Sequence, residues 1–272
     1  MAKMTPSEQV IAEKTVCILL VRGETPDSKK IYAYVAVRAD KLESFMEAQK
    51  KGTFYPEDIK KPEMLAYYAA RLPTVEINNT FYRLPKTEVL ENWFDQTPKG
   101  FQFAIKASRR ITHIKRLNDV EDATQYLMET TAGLKQKLGP ILFQLPPNAK
   151  KNTERLKTFL GTLPVDRRVT FEFRHPSWFE PDALGALRGH GAALCIADTD
   201  DDLHVPLEAT TDWGYLRLRK ETYTSRSLQK WVTQIAAQPW RDTYVYCKGE
   251  EAGYGPRWAA QLMALGAKKD GK

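Results

Sequence analysis

Seven short apolar segments, each with polar or charged residues near its end, alternate along this chain with segments of helical length and pattern. Strands that alternate with helices down to the C-terminus are typical of a parallel sheet covered by helices. Seven such units and one further strand would close a barrel, so we predict an α/β fold of the TIM-type (β/α)8 class. The seven predicted strands are Val75–Asn78, Phe101–Ser108, Ile141–Gln144, Val169–His175, Ala192–Asp198, Trp213–Arg219 and Thr243–Lys248.

The remaining strand must come from residues 1–52, which contain two strand-like runs. Val16–Arg22 and Ile31–Arg38 are joined by a turn containing Gly, Pro, Asp and Ser, and a helical pattern over Asp40–Lys50 stops at Gly52. We predict that Ile31–Arg38 is the first barrel strand because a helical pattern follows it directly. Residues 1–52 would then form an atypical hairpin and first strand of a single domain spanning 1–272, and residues 266–272 a disordered basic tail.

Composition agrees with one intracellular domain. The chain has 272 residues, 42% of them hydrophobic, a formal charge of +7 and a pI of about 9.1, so its surface would attract nucleic acid or other polyanions. Cys17, Cys195 and Cys247 show no CxxC spacing, and we interpret them as reduced core residues. The apolar run Val16–Val21 is too short for a signal peptide or a membrane span. We therefore expect a cytoplasmic protein with no membrane partner.

Alternation within the strands indicates which side chains face the barrel axis. In Trp213–Arg219 the leucines share one face and the arginines the other, and in Val169–His175 the phenylalanines oppose Glu172 and Arg174. The apolar face must meet the helices, which leaves the interior for charged side chains late in their strands, where TIM barrels build their sites. The expected interior residues are Glu76, Asn78, Lys106, Ser108, Gln144, Glu172, Arg174, Asp198, Arg217, Arg219 and Lys248.

Five cations oppose three carboxylates in that set. Buried charges are costly unless they pair or meet a ligand. The imbalance therefore predicts an anionic ligand, such as a phosphate-containing substrate.

Four ordered motifs resemble those of the domain-of-unknown-function 72 family, also called the YecE-like family. They are Val75–Pro85 (VEINNTFYRLP), Lys106–Arg109 (KASR), Gly139–Pro147 (GPILFQLPP) and Phe171–Phe179 (FEFRHPSWF), within a resemblance that runs from about Phe54 to Leu265. The resemblance implies a TIM-type barrel and a family without an established activity. Near its start the chain lacks the family's Gly-x-Ser-Gly-Trp-type motif, and Tyr246–Glu250 replaces an aromatic and Asn-Asp pattern, as in a variant subgroup.

Glu76, Glu172, Lys106 and His175 are the candidate catalytic residues. Carboxylates on a common inner face could act as acid and base or bind a divalent metal, and His175 could be a ligand or a proton shuttle. Alternatively, Glu172 forms a structural ion-pair network, and His175 caps the turn before Pro176. Metal binding is not favoured because the neighbouring cations would compete for the same carboxylates, and no cofactor is identified.

Arg217, Arg219 and Lys248 lie at the ends of the last two strands, where TIM barrels frequently hold phosphate. Gly249, Gly253 and Gly255 could add backbone amides, or they could simply be needed for a flexible loop. The full set of candidate substrate-binding residues is Asn78, Tyr82, Ser108, Gln144, Arg174, Asp198, Arg217, Arg219 and Lys248.

The run Lys106–Arg116 contains six basic residues and would lie on the rim of the same face. It could neutralise phosphates of a nucleic acid, with Tyr82, Trp178 and Tyr223 stacking on bases or sugars, or it could be a solvated loop beside packing aromatics. Three other tryptophans fall in helical segments and are expected to pack helices on the barrel, namely Trp93, Trp231 and Trp258.

The sequence contains no nucleophile elbow, HExxH, clustered Cys/His zinc pattern or GxGxxG fingerprint. These absences weaken protease, zinc-hydrolase and nicotinamide hypotheses. We therefore expect an enzyme, such as a hydrolase or lyase, that binds a small anionic substrate at the carboxyl end of the barrel. The alternative is a nucleic-acid-binding module or a metal-dependent nuclease. The oligomeric state is not predicted.

Overall fold

A computed structural model describes residues 22–24, 30–34, 36–37, 54–248 and 254–267. Its ten described strands form one sheet in the order β1-β2-β10-β9-β8-β7-β6-β5-β4-β3. Neighbours are parallel except β1 and β2. The strands are β1 (Arg22–Glu24), β2 (Lys30–Tyr34), β3 (Ala36–Val37), β4 (Thr74–Ile77), β5 (Gln102–Lys106), β6 (Leu138–Gln144), β7 (Val169–Glu172), β8 (Ala193–Asp198), β9 (Trp213–Leu218) and β10 (Asp242–Cys247).

The sheet closes through the stretch that carries β2 and β3, which lie one residue apart in the sequence. β2 pairs with β10, Thr243 opposite Ile31, while β3 pairs with β4, Ala36 opposite Glu76. One short stretch of chain thus joins the last barrel strand to β4, and the fold is a TIM-type (β/α)8 barrel. The assignment of Ile31–Arg38 to the first barrel strand is confirmed over its described residues.

Seven α-helices occur in the described part of the chain. Two of them begin at residues whose side chains cap the first turn: Asn152 accepts a hydrogen bond from the Arg155 amide, and Thr224 accepts one from the Ser227 amide. The helices are α1 (Met64–Ala69), α2 (Thr87–Asp95), α3 (Glu121–Thr131), α4 (Thr153–Gly161), α5 (Pro181–His190), α6 (Ser225–Ala236) and α7 (Tyr254–Ala267).

The alternation of strand and helix fails at one connection. Residues 199–212, between β8 and β9, contain no helix. The segment carries Asp200, Asp201 and Asp202 and then Pro206, which are poor helix-forming residues. The expectation of a helical pattern between every two strands is therefore wrong here.

Several predictions about the termini lie outside the described residues. These include the helix over Asp40–Lys50, most of Val16–Arg22, and Cys17. α7 extends two residues into the predicted tail, ending at Ala267, and the rest of that tail is also outside the described part. Of the predicted hairpin, β1 is described and pairs antiparallel with β2.

Aromatic side chains seal the outer face of the barrel against the helices. Phe143 on β6 stacks on Phe171 of β7 with ring centroids 5.3 Å apart, and Phe159 of α4 meets Phe143 edge-on at 5.1 Å. Trp93 of α2 stacks on Phe103 of β5 at 5.8 Å. The expected outward direction of the phenylalanines and the packing role of Trp93 are thus confirmed.

A polar cluster fills the interior near the amino ends of the strands. Arg168, just before β7, donates to the Tyr244 hydroxyl at 2.8 Å and to Asp242 at 2.7 Å. The Tyr244 hydroxyl in turn donates to Gln102 at 2.7 Å. Because these groups satisfy one another at this end, we look for the site at the carboxyl ends of the strands.

Two further observations bear on the core and on membranes. Cys195 and Cys247 are buried free thiols, as predicted. No helix in the described ranges has the length and apolar character that crossing a membrane requires.

Candidate functional site

Two buried glutamates from distant strands meet on one arginine. Arg217 of β9 donates through Nη1 to Glu172 Oε2 of β7 at 2.5 Å and through Nη2 to Glu76 Oε1 of β4 at 2.8 Å. The guanidinium is 3% exposed, and the two carboxylates are 1% and 0% exposed. The expected inward direction of these three side chains is confirmed, and their convergence shows that they lie near the barrel axis.

Two neutral side chains also donate hydrogen bonds to the Glu76 carboxylate. Tyr215, two residues before Arg217 on the same strand, donates its hydroxyl to Glu76 Oε2 at 2.5 Å. Asn78 donates its amide to Glu76 Oε1 at 2.9 Å. Burial and the nearby Glu76 charge raise the pKa of Tyr215 well above its usual value, so this phenol stays protonated and keeps donating.

A second chain of contacts begins at Lys106 of β5. Its Nζ donates to Gln144 Oε1 at 2.7 Å, and Gln144 Nε2 donates to Glu172 Oε1 at 2.8 Å. Arg174 Nε also donates to Glu172 Oε1 at 2.8 Å. The prediction that Glu172 lies close to both Lys106 and Arg217 is confirmed. We call Glu76, Asn78, Lys106, Gln144, Glu172, Arg174 and Arg217 the inner charged cluster.

Glu172 stays ionised in this cluster. Burial alone would raise its pKa, but Arg217 and Arg174, with smaller effects from Arg219 and Lys106, hold it well below the usual range. The two glutamates likewise keep the pKa of Arg217 well above its usual value despite burial. Glu172 is therefore unsuited to donate a proton at neutral pH, which narrows its possible roles to base, ligand contact or positioning.

Lys106, in contrast to Glu172, is shifted toward its neutral form. Its burial, followed by the charges of Arg217 and Arg174, lowers its pKa well below the usual value, and Glu172 opposes this only in part. His113, whose ring lies edge-on to Phe81 at 4.7 Å, has its pKa lowered to about 4 by burial and by the nearby Lys106 and Arg174. Burial and neighbouring cations thus favour the neutral forms of Lys106 and His113, whereas Arg217 stays charged.

Asp198 does not belong to the inner cluster, and its expected inward direction is wrong. The register pairs Asp198 with the outward Leu218 and pairs Ala197 with Arg217. The Asp198 carboxylate instead accepts from Tyr223 at 2.9 Å and from Trp231 of α6 at 3.1 Å. It lines a cavity of about 510 Å³ between the end of β8 and α6, outside the barrel.

His175 lies where the predicted capping role would place it. Its Nδ1 is 2.8 Å from the Ser177 hydroxyl and accepts from the Ser177 amide at 3.2 Å, which caps the 3₁₀ helix Pro176–Trp178. A catalytic role for His175 stays a prediction. Trp178 is a packing residue, because it is buried, stacks on Phe173 at 4.4 Å and donates to the Ala149 carbonyl.

Arg219 and Lys248 follow β9 and β10 and are half-buried. The Arg219 charge lowers the pKa of Glu172, which places it in electrostatic range of the inner cluster. The Lys248 amide donates to the Leu218 carbonyl at 2.7 Å. Of the three glycines predicted nearby, Gly255 lies in the first turn of α7, and the other two are outside the described residues.

The basic run after β5 forms a rim rather than an interior element. Ser108 Oγ accepts from the Arg110 amide at 3.2 Å at the start of a π-helical turn, Arg110–Ile114. Arg109, Arg110 and Lys115 are exposed. Tyr82 is 42% exposed beside Phe81, whereas Tyr223 is buried against Trp258.

Two partners of the inner charged cluster, Tyr215 and Phe81, were not predicted from the sequence. Tyr215 has the same strand parity as Arg217, so the alternation that placed the arginine inward also placed the phenol there. Phe81, whose ring centroid lies 4.3 Å from Lys106 Nζ, comes from the 3₁₀ turn Asn79–Phe81 and carries no periodic signal. Within the described ranges, no three His, Cys, Asp or Glu side chains are grouped as metal ligands.

Comparisons with known proteins agree with this architecture. The profile of the family described as "Protein of unknown function DUF72" matches residues 42–271. UPF0759 protein YunF of Bacillus subtilis is 26% identical over 215 residues, which cover 71% of this chain and 73% of YunF. UPF0759 protein YecE of Escherichia coli is 33% identical over 116 residues, 42% of this chain and 43% of YecE.

Solved structures show the same fold at low sequence identity. The DUF72 family protein EF0366 of Enterococcus faecalis has a TM-score of 0.68 at 17% identity, covering 86% of this chain and 94% of its own. The DUF72 family protein TM1631 of Thermotoga maritima has a TM-score of 0.64 at 21% identity, covering 88% and 98%. The chain therefore belongs to the DUF72 family.

Proposed function

We propose that this protein is an enzyme that binds a small substrate carrying a phosphate or carboxylate group at the carboxyl end of the barrel. The observation that carries the proposal is the charge balance of the inner charged cluster. Three guanidinium groups, those of Arg217 and Arg174 in the cluster and that of Arg219 beside it, lower the pKa of Glu172, and Lys106 has a smaller effect. With Asp198 outside the barrel, Glu76 is the other carboxylate of the cluster, and Arg217 already binds both.

An anion at the barrel mouth would offset this excess. Lowering the pKa of Lys106 removes part of the positive charge, but the guanidinium groups cannot deprotonate. A bound phosphate or carboxylate would be held by charge-assisted hydrogen bonds, for which arginine has the matching fork geometry.

We assign different roles to Arg217 and Arg174. Both terminal nitrogens of Arg217 already bind glutamates, so we assign it to positioning rather than to ligand binding. Arg174 uses Nε for Glu172, and its side chain is 30% exposed. Arg174 is therefore the arginine that we assign to the anion, with Arg219 and Lys248 close to the same strand ends.

Calorimetric titration with inorganic phosphate, pyrophosphate and phosphoglycolate tests the proposal. Arg174→Gln should weaken binding by about 1.5–3 kcal/mol, the value of a hydrogen bond to a charged group, or roughly 10- to 150-fold in Kd. The matched control is Arg188→Gln, which removes an equally charged side chain from an exposed pair with Glu208. The proposal fails if no anion binds, or if both variants weaken binding equally.

A second candidate, nucleic-acid binding, is favoured by the rim rather than by the interior. Arg109, Arg110 and Lys115 are exposed beside the half-exposed Tyr82. Cations that contact phosphates release counterions, so affinity for an oligonucleotide should fall steeply as salt rises. Binding of labelled single- and double-stranded DNA over a salt series, with Arg110→Gln and Arg188→Gln compared, decides it. No binding at low salt, or equal effects of both variants, would exclude this candidate.

A further inference from the structure

Lys106 is a buried lysine without a carboxylate partner among the described residues. The residue is 8% exposed, and its Nζ donates to a neutral acceptor, Gln144 Oε1, at 2.7 Å. The other close group is the Phe81 ring, 4.3 Å from Nζ. Buried lysines are rare unless they are paired, so this environment calls for a reason other than ion pairing.

The nearest carboxylate is already committed to other donors. Glu172 Oε1 accepts from Gln144 and Arg174, and Oε2 accepts from Arg217. Arg217 and Arg174 repel a charged ammonium at Lys106 more than Glu172 attracts it, and burial acts in the same direction. The Phe81 ring favours a cation, but an aromatic face contributes only about 0.5–2 kcal/mol. Burial and these repulsions therefore favour the neutral amine of Lys106 over the ammonium.

The geometry also orients that amine. Gln144 must present its carbonyl oxygen to Lys106, because its Nε2 is used by Glu172. Thr80 Oγ1 lies 2.7 Å from the Lys106 carbonyl oxygen and 2.8 Å from the Ile77 carbonyl oxygen, so its one hydrogen can be donated to either, which ties the end of β5 to the turn after β4. One amine hydrogen is thus directed at Gln144, which holds Nζ in place, and this hydrogen bond does not use the lone pair of the neutral amine.

We propose that Lys106 is a nucleophile that forms a Schiff base with an aldehyde or ketone carrying a carboxylate or phosphate group. The inference rests on the proposed function, since Arg174 would hold the anionic group beside the amine. Nζ attacks the carbonyl carbon, and the electron pair of the carbonyl π bond moves to oxygen, which takes up a proton as the nitrogen loses one. The carbinolamine then loses water to give the imine, so the step consumes only amine and carbonyl compound.

Lys137 provides a matched control within the same chain. It is also buried, and its Nζ lies 4.3 Å from an aromatic ring, that of Phe94. It differs in its acceptors, because Nζ donates to the carbonyls of Phe94 and Thr97 and to the Thr97 hydroxyl. Burial lowers the pKa of Lys137 as well, but three acceptors account for all three ammonium hydrogens, so we expect Lys137 to be less reactive than Lys106.

Borohydride trapping tests the proposal. The protein is incubated with pyruvate, with glyceraldehyde 3-phosphate or with neutral glycolaldehyde, reduced, and mapped by peptide mass spectrometry. We expect an adduct on Lys106 that is lost in Lys106→Met and unchanged in Lys137→Met. Adducts spread over exposed lysines, or absent from Lys106 with all three compounds, would overturn the proposal.

Competitive acetylation of the wild-type protein makes the test independent of whether Lys106→Met folds. Lys106 should react with acetic anhydride at a lower pH than the exposed lysines, and an ordinary pH dependence would contradict the proposal. Phosphate binding without a Lys106 adduct would refute this inference while leaving the proposed function standing. A Lys106 adduct with glycolaldehyde but no anion binding would refute the proposed function and the anionic group of the substrate, while supporting Lys106 as the nucleophile.

Discussion

Replacing Arg217 by methionine removes the cation on which the two buried glutamates meet. Glu172 is 1% exposed and Glu76 is 0% exposed, and Arg217 reaches both. Deleting one partner of a buried ion pair typically costs about 3–5 kcal/mol because the other charge is left without compensation. Here two carboxylates lose their cation, so we expect Arg217→Met to lie at or above the upper end of that range.

The difference in stability between wild type and Arg217→Met should become smaller at acidic pH. The pKa of Glu172 is depressed in the folded wild type, mainly by Arg217 and Arg174 against the effect of burial. Such a carboxylate contributes stability that is present above its unfolded pKa and lost as pH falls through the folded value. Without Arg217 this contribution is reduced, so Arg217→Met should lose less stability than wild type as the pH falls below 4.5, the ordinary glutamate value.

Urea denaturation of three variants measures these quantities. Arg188→Met breaks the exposed pair with Glu208 and should cost about 0–1 kcal/mol. If Arg217→Met is too unstable to purify, adding Glu76→Gln and Glu172→Gln should restore folding, because neutral amides leave no buried carboxylate without a cation. An Arg217→Met loss below about 1 kcal/mol, the usual limit for exposed pairs, would refute the claim that this network is buried and mutually compensating.

Gly214→Ala should destabilise the protein by about 1–3 kcal/mol, because the added Cβ would lie 2.5 Å from the Trp240 ring. Gly185→Ala, in α5, should instead stabilise the protein by up to about 1 kcal/mol, because nothing lies near the added Cβ. Urea denaturation measures both effects. Equal effects of the two substitutions on the free energy of unfolding would contradict the packing of Gly214 against Trp240. His113 should titrate at about pH 4 by NMR, since burial and nearby cations lower its pKa. It therefore contributes stability that is present above the ordinary pKa of about 6.5 and is lost as the pH falls toward 4. Titration of His113 near pH 6.5 would refute this prediction. Asp198→Asn should leave phosphate affinity unchanged by calorimetry, because its carboxylate bonds to Trp231 outside the barrel; a marked loss would return it to the site.

The barrel could be predicted from the sequence because period-two alternation survives in most strands. In β7 and β9 the phenylalanines and leucines are separated by single charged residues, so the two faces differ sharply. Since a one-residue slip exchanges the faces of a strand, this contrast also fixed Glu172 and Arg217 inward.

Asp198 shows where that logic fails. β8 reads Ala-Leu-Cys-Ile-Ala-Asp, and almost every residue is apolar, so neither face is marked as polar. The terminal aspartate was assigned inward from its chemistry and its late position, while its actual parity follows Ile196. The indole of Trp231 on α6, outside the barrel, donates a hydrogen bond to the Asp198 carboxylate. No local sequence pattern predicts that contact.

The pairing within the site also depends on distance that the sequence does not contain. Arg217 was expected to hold a ligand, yet its nearest acceptors are Glu76 and Glu172, 141 and 45 residues away. Conversely, Lys106 has no carboxylate partner in the described part of the chain because Arg174 and Arg217 already bind Glu172. Such competition is decided by three-dimensional geometry.

Anomalous scattering from a crystal soaked in tungstate, a phosphate analogue, tests the central claim most directly. An excess of positive charge at the carboxyl end of the barrel predicts a tungsten peak within hydrogen-bonding reach of the Arg174 guanidinium, on the side of Lys106. The peak should disappear in Arg174→Gln crystals and persist in Arg188→Gln crystals. Tungstate bound only on the outer surface, with nothing at the barrel mouth, would contradict the account.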